Sequence, residues 1–320
     1  MKLLLAGEDR PGALLRSLEP GLRQRWDVTV VDPANAVTRL IDRSSLVTRV
    51  RRRARTRRTA PCFHEALEQL QPDVTLVIKG SGLTSQDIAT AGVHGPIAIY
   101  YPDNPFWRIA DNADAAARLA AADLAIVWSD RLRLALEPTC QRVATVPFGY
   151  DPAWFPRSDP GTQRSGIAFA GTWSLRRERF LRALEGLDLT IVGWGWDNAA
   201  GLATGPPRYG SAAGELLAGA AIGINLLHPH NAGAHNMRTR EIMASGALQL
   251  TDPGTDGTPF RDGIGCRWFS SPGQLRELVD HYLAHPGEAS ALATSAQTLA
   301  AHETYEQRTA EISQLLGRLL

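Results

Sequence analysis

NMRTREIMASGALQLTD, residues 236–252, joins three kinds of segment without a break. Asn236 is followed by charged residues, then by the small residues at 244–247, and finally by an apolar run. An asparagine side chain can cap a helix, and small residues let the backbone turn tightly into the next element. A helix that runs directly into an apolar strand is typical of α/β proteins. This stretch therefore predicts an α/β fold.

The same alternation of strands and helices extends along the chain. Segments of helical length, such as residues 111–122, separate apolar runs that are continuous rather than alternating. Continuous runs indicate strands that are buried on both faces, as in parallel sheets covered by helices. The predicted strands are KLLLAG (2–7), DVTVVD (27–32), DVTLVIKG (73–80), PIAIYY (96–101), DLAIVWS (123–129), VATVPF (143–148), GIAFAG (166–171), LDLTIVG (187–193), AAIGINLL (220–227) and GALQLTD (246–252).

A stretch rich in proline, glycine and polar residues, 148–166, interrupts the pattern, which then restarts. We therefore predict two Rossmann-like domains facing each other across a cleft. They comprise residues 1–148 and 149–303, and a final helix at 304–320 is expected to cross back to the first domain. In such sheets ligands bind outside the carboxyl ends of the strands, so candidate site residues are sought there.

Composition sets broad limits. The 320 residues are 44% hydrophobic and 21% charged with a net charge of +1, which is typical of a globular chain with room for two cores. Three widely spaced cysteines indicate neither a disulfide framework nor a zinc site. The first apolar run is too short for a signal peptide or a membrane anchor, so we expect a cytoplasmic protein.

Basic charge is concentrated in RVRRRARTRR, from Arg49 to Arg58, which holds seven of the 34 basic residues. The run favours an anionic partner, either an acidic acceptor or the inner face of a membrane. No aromatic residue is interleaved, which disfavours nucleic acid. A solvated helix face or a mobile loop is the structural alternative.

Gly171 ends a predicted strand, and Arg176 and Arg177 follow it in the first turn of a helix. Backbone N–H groups at a helix start favour an anion, which would also explain two arginines at the positive end of a helix dipole. A first turn solvated by water is the alternative interpretation.

Helical spacing places Arg238 and Glu241 on one face of the helix that Asn236 begins. Arg238 lies where it can meet a phosphate, and the two oxygens of Glu241 suit the two hydroxyls of a ribose. A surface ion pair between them would explain the charges but not the small residues that follow.

The second half resembles the CgeB-like (spore maturation type) branch of the GT-B glycosyltransferases over residues 146–308. The landmarks are VPFGYDPAWF, IAFAGTWSLRRERFLRAL, IVGWGW, RYGSAAGELLAGAAIGINL, NMRTREIMASGALQLTD and HETYEQR. In GT-B enzymes the acid before a small-residue step binds the donor ribose, which implies that role for Glu241. The donor site implied by this resemblance contains Gly171, Thr172, Arg176, Arg177, Gly193, Trp194, Tyr209, Asn236, Met237, Arg238 and Glu241.

The resemblance also implies an activity: transfer of a sugar from a nucleoside diphosphate donor to a hydroxyl acceptor, without a metal or a further cofactor. The acceptor is a glycan, a lipid-linked molecule, a protein or a small molecule, and UDP ranks ahead of GDP and dTDP as the nucleotide. Many retaining members carry a second acid eight positions before the ribose-binding acid, where this chain has Gly233. Retention and inversion both stay open, and a non-catalytic nucleotide- or sugar-binding protein is the alternative.

The first domain is expected to hold the acceptor. Asp103, in IYYPDNPFWR, follows a strand end among aromatic residues and is the first candidate for a general base. Pro-Asp-Asn-Pro is also strong turn chemistry, which is the structural alternative. Glu8 is a second base candidate, and His235, in the loop HPHNAGAH, is a third candidate for contact with phosphate or acceptor.

Two further classes are disfavoured. A nicotinamide dehydrogenase would use Asp32 at the end of the second strand, but the first loop reads GEDRPG rather than G-x-G-x-x-G. A metal site would use the histidines of the 228–235 loop, but that loop contains no carboxylate or cysteine.

Overall fold

The computed structural model describes residues 1–34, 61–107, 114–157, 162–231, 234–254 and 260–320. The chain forms two compact units: unit 1 comprises Met1–Pro147 and Tyr305–Leu320, and unit 2 comprises Phe148–Thr304. The boundaries predicted from the sequence, after residues 148 and 303, each differ from this division by one residue. The arginine-rich segment at 49–58 lies outside the described residues.

Unit 1 is built on a parallel sheet of six strands. The strands are β1 (Lys2–Ala6), β2 (Asp27–Val31), β3 (Val74–Ile78), β4 (Ile97–Tyr101), β5 (Leu124–Val127) and β6 (Val143–Thr145). Their order in the sheet is β2-β1-β3-β4-β5-β6. The helices that follow them are α1 (Leu14–Arg23), α2 (residues 61–70), α3 (Ser85–Ala91), α4 (Ala115–Ala121) and α5 (Asp130–Leu136).

Burial in this sheet follows from the apolar runs. Every residue of β3 and β4 is buried, because both strands lie inside the sheet with layers on both faces. The edge strand β2 has instead a mixture of exposed and buried residues. All six strands coincide with predicted ones, and the helix predicted at residues 111–122 is present as α4; residues 111–113 lie outside the described part.

Unit 2 is built on a second parallel sheet, of seven strands. The strands are β7 (Ile167–Ala170), β8 (Leu189–Val192), β9 (Thr204–Gly205), β10 (Ile222–Asn225), β11 (Leu248–Thr251), β12 (Arg261–Asp262) and β13 (Gly265–Trp268). They lie in the order β12-β13-β11-β10-β7-β8-β9. The helices are α6 (Leu175–Arg182), α7 (Ser211–Gly219), α8 (Met237–Ser245), α9 (Pro272–Ala284) and α10 (Pro286–Ala300). The sequence pattern misses β9, β12 and β13, because two have only two residues each and the third contains an arginine.

Two apolar clusters cover the faces of this sheet. Ile167 and Phe169 of β7 belong to one cluster, and Ala168 between them belongs to the other, as the alternation of side chains along a strand requires. Phe169 is 2% exposed, and burial of such a side chain stabilises the fold by about 2–3 kcal/mol. The strand ends above these clusters are therefore held on a rigid base.

The last helix, α11 (Tyr305–Gly317), packs on α1 within unit 1. The two helices approach so closely at Gly21 that a Cβ atom there would lie 2.1 Å from Oγ1 of Thr309. Nearby, the Trp26 indole N–H donates to Oγ of Ser313 at 3.1 Å. Unit 1 is thus assembled from residues at both ends of the chain.

Candidate functional site

The carboxyl ends of β7 and β10 meet at the topological switch point of unit 2. The chain runs from β7 to β8 on one side, and β10 and β11 lie on the other side of β7. Ligands of open α/β sheets bind at such a point. The loops gathered there begin at Gly171, Gly193, Leu226 and Asp252.

Arg176 is held at this edge by a carboxylate that follows β11. Ser174 caps α6 by accepting a hydrogen bond from the Arg177 N–H at 3.3 Å, which places Arg176 in the first turn. The Arg176 guanidinium donates through both terminal nitrogens to Asp252, at 3.0 Å for Nη1, and Asp252 also accepts from the Leu227 N–H at 2.7 Å. The charge of Arg176 is therefore matched within the protein.

Arg177 is directed at backbone carbonyl groups. Its Nε and Nη2 donate to the Leu226 carbonyl at 3.1 and 2.8 Å, and its Nη1 donates to the Thr172 carbonyl at 2.7 Å. Burial, together with the neighbouring guanidinium groups of Arg176 and Arg238, lowers the pKa of Arg177 to about 10. Arg177 therefore stays charged at neutral pH and joins the loops after β7 and β10.

Asn236 begins α8 and is itself held from β10. Its side-chain oxygen accepts from the Thr239 N–H at 3.2 Å, the N-cap bond predicted from the sequence. Nδ2 of Asn225, the last residue of β10, donates to Oδ1 of Asn236 at 3.1 Å and to Oγ1 of Thr239 at 2.9 Å. The start of α8 is thereby fixed to the end of the neighbouring strand.

Arg238 and Glu241 form an ion pair, but not the surface pair considered above. Nη1 of Arg238 lies 2.8 Å from Oε2 of Glu241, and the two side chains are 21% and 11% exposed. Among the described residues, neither of these atoms has a partner in hydrogen-bond geometry. Burial raises the pKa of Glu241, and the charge of Arg238 opposes that rise only in part. Oε2 of Glu241 therefore has a charged neighbour but no well-aligned donor, and a ligand could supply one.

The small residues after Glu241 serve close packing and a turn. Gly246 ends α8 in the left-handed conformation, at φ 79°, as expected for a helix that turns at once into a strand. On β10, a Cβ atom at Gly223 would lie 2.6 Å from Cγ2 of Ile242, so α8 lies close against the sheet. The Ser245 hydroxyl bonds back to the Glu241 carbonyl at 2.8 Å.

Gly193 lets the loop after β8 pass directly beside Gly171. Its φ is 155°, and a Cβ atom there would lie 1.9 Å from the Gly171 carbonyl oxygen. The same oxygen accepts from the Trp196 indole N–H at 2.8 Å. Trp196 is 3% exposed and belongs to the apolar core, so it offers no ring surface to a ligand.

Trp194 and Tyr209 are the exposed aromatic residues beside this edge. They are 49% and 41% exposed, and the Trp194 indole N–H donates to the Tyr209 hydroxyl at 2.7 Å. The hydrogen bond joins the loop after β8 to the loop after β9. Their exposed ring surfaces are of a kind that a planar base can stack on.

The three histidines of the 228–235 loop occupy two different environments. His228 and His230 are partly buried and contact each other through their Nδ1 atoms at 2.8 Å. His235 is 2% exposed, with Nε2 3.3 Å from the Phe260 carbonyl and Nδ1 3.4 Å from Oγ1 of Thr239. The described residues contain no group of three or more potential metal ligands. His235 thus supports the cap of α8 from within the core.

In unit 1, the two predicted base candidates follow neighbouring strands of the sheet. Oδ2 of Asp103 lies 2.7 Å from Nζ of Lys79, which follows β3. Glu8 accepts from Nε of Arg10 at 2.9 Å. Burial opposes the change, but Arg10, Lys79 and the hydroxyl of Ser81 together lower the pKa of Glu8. Glu8 is therefore ionised and weakly basic.

Sequence reasoning missed Asp252, Asn225 and Lys79, although each carried a signal. All three are polar residues at or directly after the end of a predicted strand, where functional side chains of parallel sheets gather. Which partner each selects depends on strand order, which the sequence does not state. Cys140 and Cys266 are free thiols.

The architecture of this chain is similar to that of several solved structures. Sucrose-phosphate synthase from Thermosynechococcus elongatus is similar with a TM-score of 0.73 at 12% identity, covering 100% of this chain and 99% of that one. Anabaena Alr3699/HepE in complex with UDP-glucose gives 0.71 at 14% identity, covering 100% of both chains. The fold is GT-B. The GT-B likeness extends to UDP-GlcNAc 2-epimerase from Neisseria meningitidis bound to UDP-GlcNAc, with a TM-score of 0.62 at 12% identity over 99% of this chain and 100% of that one.

Residues 176–314 of this GT-B chain match the family model described as glycosyl transferase-like. The matched region starts at Arg176 and includes the Arg238 and Glu241 pair. No curated protein matches the chain. Among the described residues, no helix is long and apolar enough to cross a membrane.

Proposed function

We propose that the protein is a glycosyltransferase of the CgeB-like type that moves a sugar from a nucleoside diphosphate donor to a hydroxyl acceptor without a metal. UDP is the nucleotide we place first, ahead of GDP and dTDP. The match to a glycosyl transferase-like family over residues 176–314 supports the reaction class. The UDP-glucose in the similar Alr3699/HepE structure supports the choice of nucleotide.

The observation that carries the proposal is the buried Glu241 carboxylate beside Arg238. A desolvated carboxylate with an oxygen that has no well-aligned donor is costly in the free protein and becomes more favourable when a ligand brings hydroxyl groups to it. The two hydroxyls of a ribose fit this requirement, and Arg238 next to them suits the adjoining phosphate. Trp194 and Tyr209 would then stack the base.

Charge at the switch point suits a leaving diphosphate. Arg177 and Arg238 are held in place before any ligand arrives, so they can stabilise the negative charge that develops as the sugar bond breaks. Arg176 is already paired with Asp252, so it would have to exchange that partner for a phosphate oxygen. The proposed donor site is completed by Gly171, Gly193 and the start of α8 at Asn236 and Met237.

The epimerase among the similar structures provides the competing reaction. GT-B architecture is found in both enzyme types, so fold alone does not choose between transfer and epimerisation. The glycosyl transferase-like match favours transfer. For the base, we propose Asp103 ahead of Glu8, whose pKa is lowered, and ahead of His235, which lies in the core.

Thermal stabilisation by UDP, GDP, dTDP, CDP and ADP tests the donor site. A nucleotide at about a hundred times its dissociation constant should add roughly 2.7 kcal/mol to the free energy of unfolding. We expect UDP to stabilise the wild type, Glu241→Ala to lose most of that response, and the exposed Glu277→Ala on α9 to keep it. UDP release from UDP-glucose with added glucose then measures transfer. Stabilisation without release of UDP or any epimeric product would favour the non-catalytic binding protein.

For the arginine-rich segment at 49–58 we propose binding to an anionic membrane surface in the cytoplasm. Co-sedimentation with vesicles that contain roughly 30–40% phosphatidylserine tests this proposal. Binding should weaken as added salt screens the charges. Replacing the seven arginines by glutamine should abolish sedimentation at low salt. Equal sedimentation of both proteins would rule the proposal out.

A further inference from the structure

A row of alternating charges crosses the switch point of unit 1. In the sheet, β3 lies between β1 and β4, so the residues that follow these strands are neighbours: Glu8, Lys79 and Asp103. Lys79 lies 2.7 Å from Asp103 through Nζ and Oδ2, and its positive charge also acts on Glu8. The three side chains are about one-third exposed, at 30% for Lys79, 35% for Asp103 and 32% for Glu8. They are therefore accessible to a ligand.

The backbone at Lys79 is strained in a way that orients its side chain. Lys79 has a φ of 66°, and among the described residues Gln71 is the only other non-glycine residue with a positive φ. A left-handed conformation is unfavourable for a lysine, and such strain persists where the surroundings impose it. Here the Lys79 N–H is bonded to the Tyr100 carbonyl at 2.8 Å, and Gly80 follows at φ 72°.

A buried donor without a partner lies directly behind this turn. Arg118 is 6% exposed, and a Cβ atom at Gly80 would lie 3.4 Å from its Nε. Among the described residues that Nε has no hydrogen-bond partner, although Nη1 donates to the Leu83 carbonyl at 3.2 Å. An unpaired donor in the wall of a polar site is satisfied by a ligand that presents an oxygen acceptor.

Among the described residues, the charges in this region cancel. Glu8 is matched by Arg10, Asp103 by Lys79 and Asp9 by Arg16, and the charge of Asp114 acts on the buried Arg118. A region with no net charge gives no electrostatic attraction to an anionic ligand. Carboxylate oxygens beside fixed donors are instead suited to hydroxyl groups, which both donate and accept.

We infer that Lys79 positions the Asp103 carboxylate for an acceptor that is uncharged and rich in hydroxyl groups. The inference rests on the proposed transferase activity and narrows its acceptor class. Lys79 holds one oxygen of Asp103, which leaves the other to accept the proton of the acceptor hydroxyl as that oxygen bonds to the donor sugar and the diphosphate leaves. The acceptor proton passes to Asp103, and the pair of electrons of the broken sugar bond leaves with the diphosphate.

Kinetics of UDP release from UDP-glucose test this role, with glucose, glucuronic acid and glucose 6-phosphate as acceptors. We expect glucose to be preferred. Lys79→Met should raise the KM for glucose about tenfold or more, since one charge-assisted hydrogen bond is lost, while stabilisation by UDP is unchanged. Lys79→Arg, which keeps a charged donor at this position, should restore most of the affinity for glucose, and Lys2→Met is the matched control.

A second measurement does not depend on catalysis. The chain has only two lysines, Lys2 and Lys79, so reductive ¹³C-methylation gives three amine signals with the N-terminus. We expect glucose to shift the Lys79 signal alone and glucuronic acid to leave it unchanged. Unaltered kinetics in Lys79→Met, or a larger response to glucuronic acid, would overturn the inference while the UDP response still supported the transferase. If UDP does not stabilise the wild type but glucose still shifts the ¹³C signal of Lys79, the proposed transferase activity would be overturned and the acceptor inference would stand.

Discussion

The switch points of the two units present different chemistry on the same type of sheet. In unit 2, Arg176, Arg177 and Arg238 face two carboxylates, and burial raises the pKa of one of them, Glu241. In unit 1, lysine and arginine side chains match the carboxylates one for one and remain partly exposed. An excess of positive charge suits a diphosphate, whereas a polar surface with balanced charges suits a neutral polyol. Parallel-sheet geometry fixes where each site lies, and the residues after the strands fix what it binds.

The largest expected effect is a loss of stability on replacing a closely packed glycine, and it should differ between the two units. Gly193→Ala in unit 2 would place a Cβ atom 1.9 Å from the Gly171 carbonyl oxygen, so we expect it to lower the free energy of unfolding by about 4 kcal/mol. Gly80→Ala in unit 1 is the matched control. Gly80 also has a positive φ, but an added Cβ atom would lie 3.4 Å from the nearest atom. The expected loss in the free energy of unfolding is therefore about 1 kcal/mol. Equal losses in chemical denaturation would contradict the distinction.

The next effect tests the buried ion pair. Arg238→Met leaves the Glu241 carboxylate buried without a cation, so we expect a loss of about 2–3 kcal/mol in the free energy of unfolding. If Arg238 meets the phosphate as proposed, affinity for UDP, measured by calorimetry, should fall about 100-fold, because that partly buried charge is lost. Arg179→Met, an exposed site on α6, is the control and should change neither quantity by more than about 0.5 kcal/mol. If Arg238→Met behaves like this control, the Arg238–Glu241 pair contributes no more than a surface ion pair, which would contradict the prediction.

A smaller effect tests whether Asp252 weakens the attraction of Arg176 for a phosphate. Asp252→Asn removes the partner of Arg176 and keeps an oxygen that can accept from the Leu227 N–H. We expect UDP to bind about fivefold more tightly, with a steeper dependence on salt, and the protein to lose about 1 kcal/mol of stability. Asp262→Asn, in an exposed pair with Arg267, serves as the control. Weaker binding in Asp252→Asn would mean that Asp252 holds Arg176 in its productive position.

The smallest effect is a pH dependence confined to unit 2. Because burial raises the pKa of Glu241 above 4.5, this group favours folding at acid pH and loses that contribution as the pH rises through its folded pKa. The free energy of unfolding of Glu241→Gln, relative to that of the wild type, should therefore increase between about pH 5 and about pH 8. Glu277→Gln, at an exposed position, should show no such trend. UDP should reverse the trend by supplying donors to the carboxylate, and a flat difference without ligand would contradict the buried state of Glu241.

The sequence was sufficient for most of the strands but not for the side-chain partners. Continuous apolar runs such as VTLVI and IAIYY predict buried parallel strands because they are short and rich in β-branched and aromatic residues. Asn236 as a cap and Gly246 as a turn residue follow from local chemistry alone, and both are present. Pairings such as Arg176 with Asp252 join residues 76 positions apart and depend on strand order. Periodicity carries no information about that order.

The close approach of α1 and α11 at Gly21 and Thr309 has a consequence for how the chain folds during synthesis. Unit 2 is continuous in sequence, from Phe148 to Thr304, so it can fold as soon as it has left the ribosome. Unit 1 begins first and finishes last, because the buried leucines of α1 wait for Tyr305–Leu320 to cover them. The first half of the polypeptide should therefore stay open to chaperones and proteases until residues 305–320 have been synthesised.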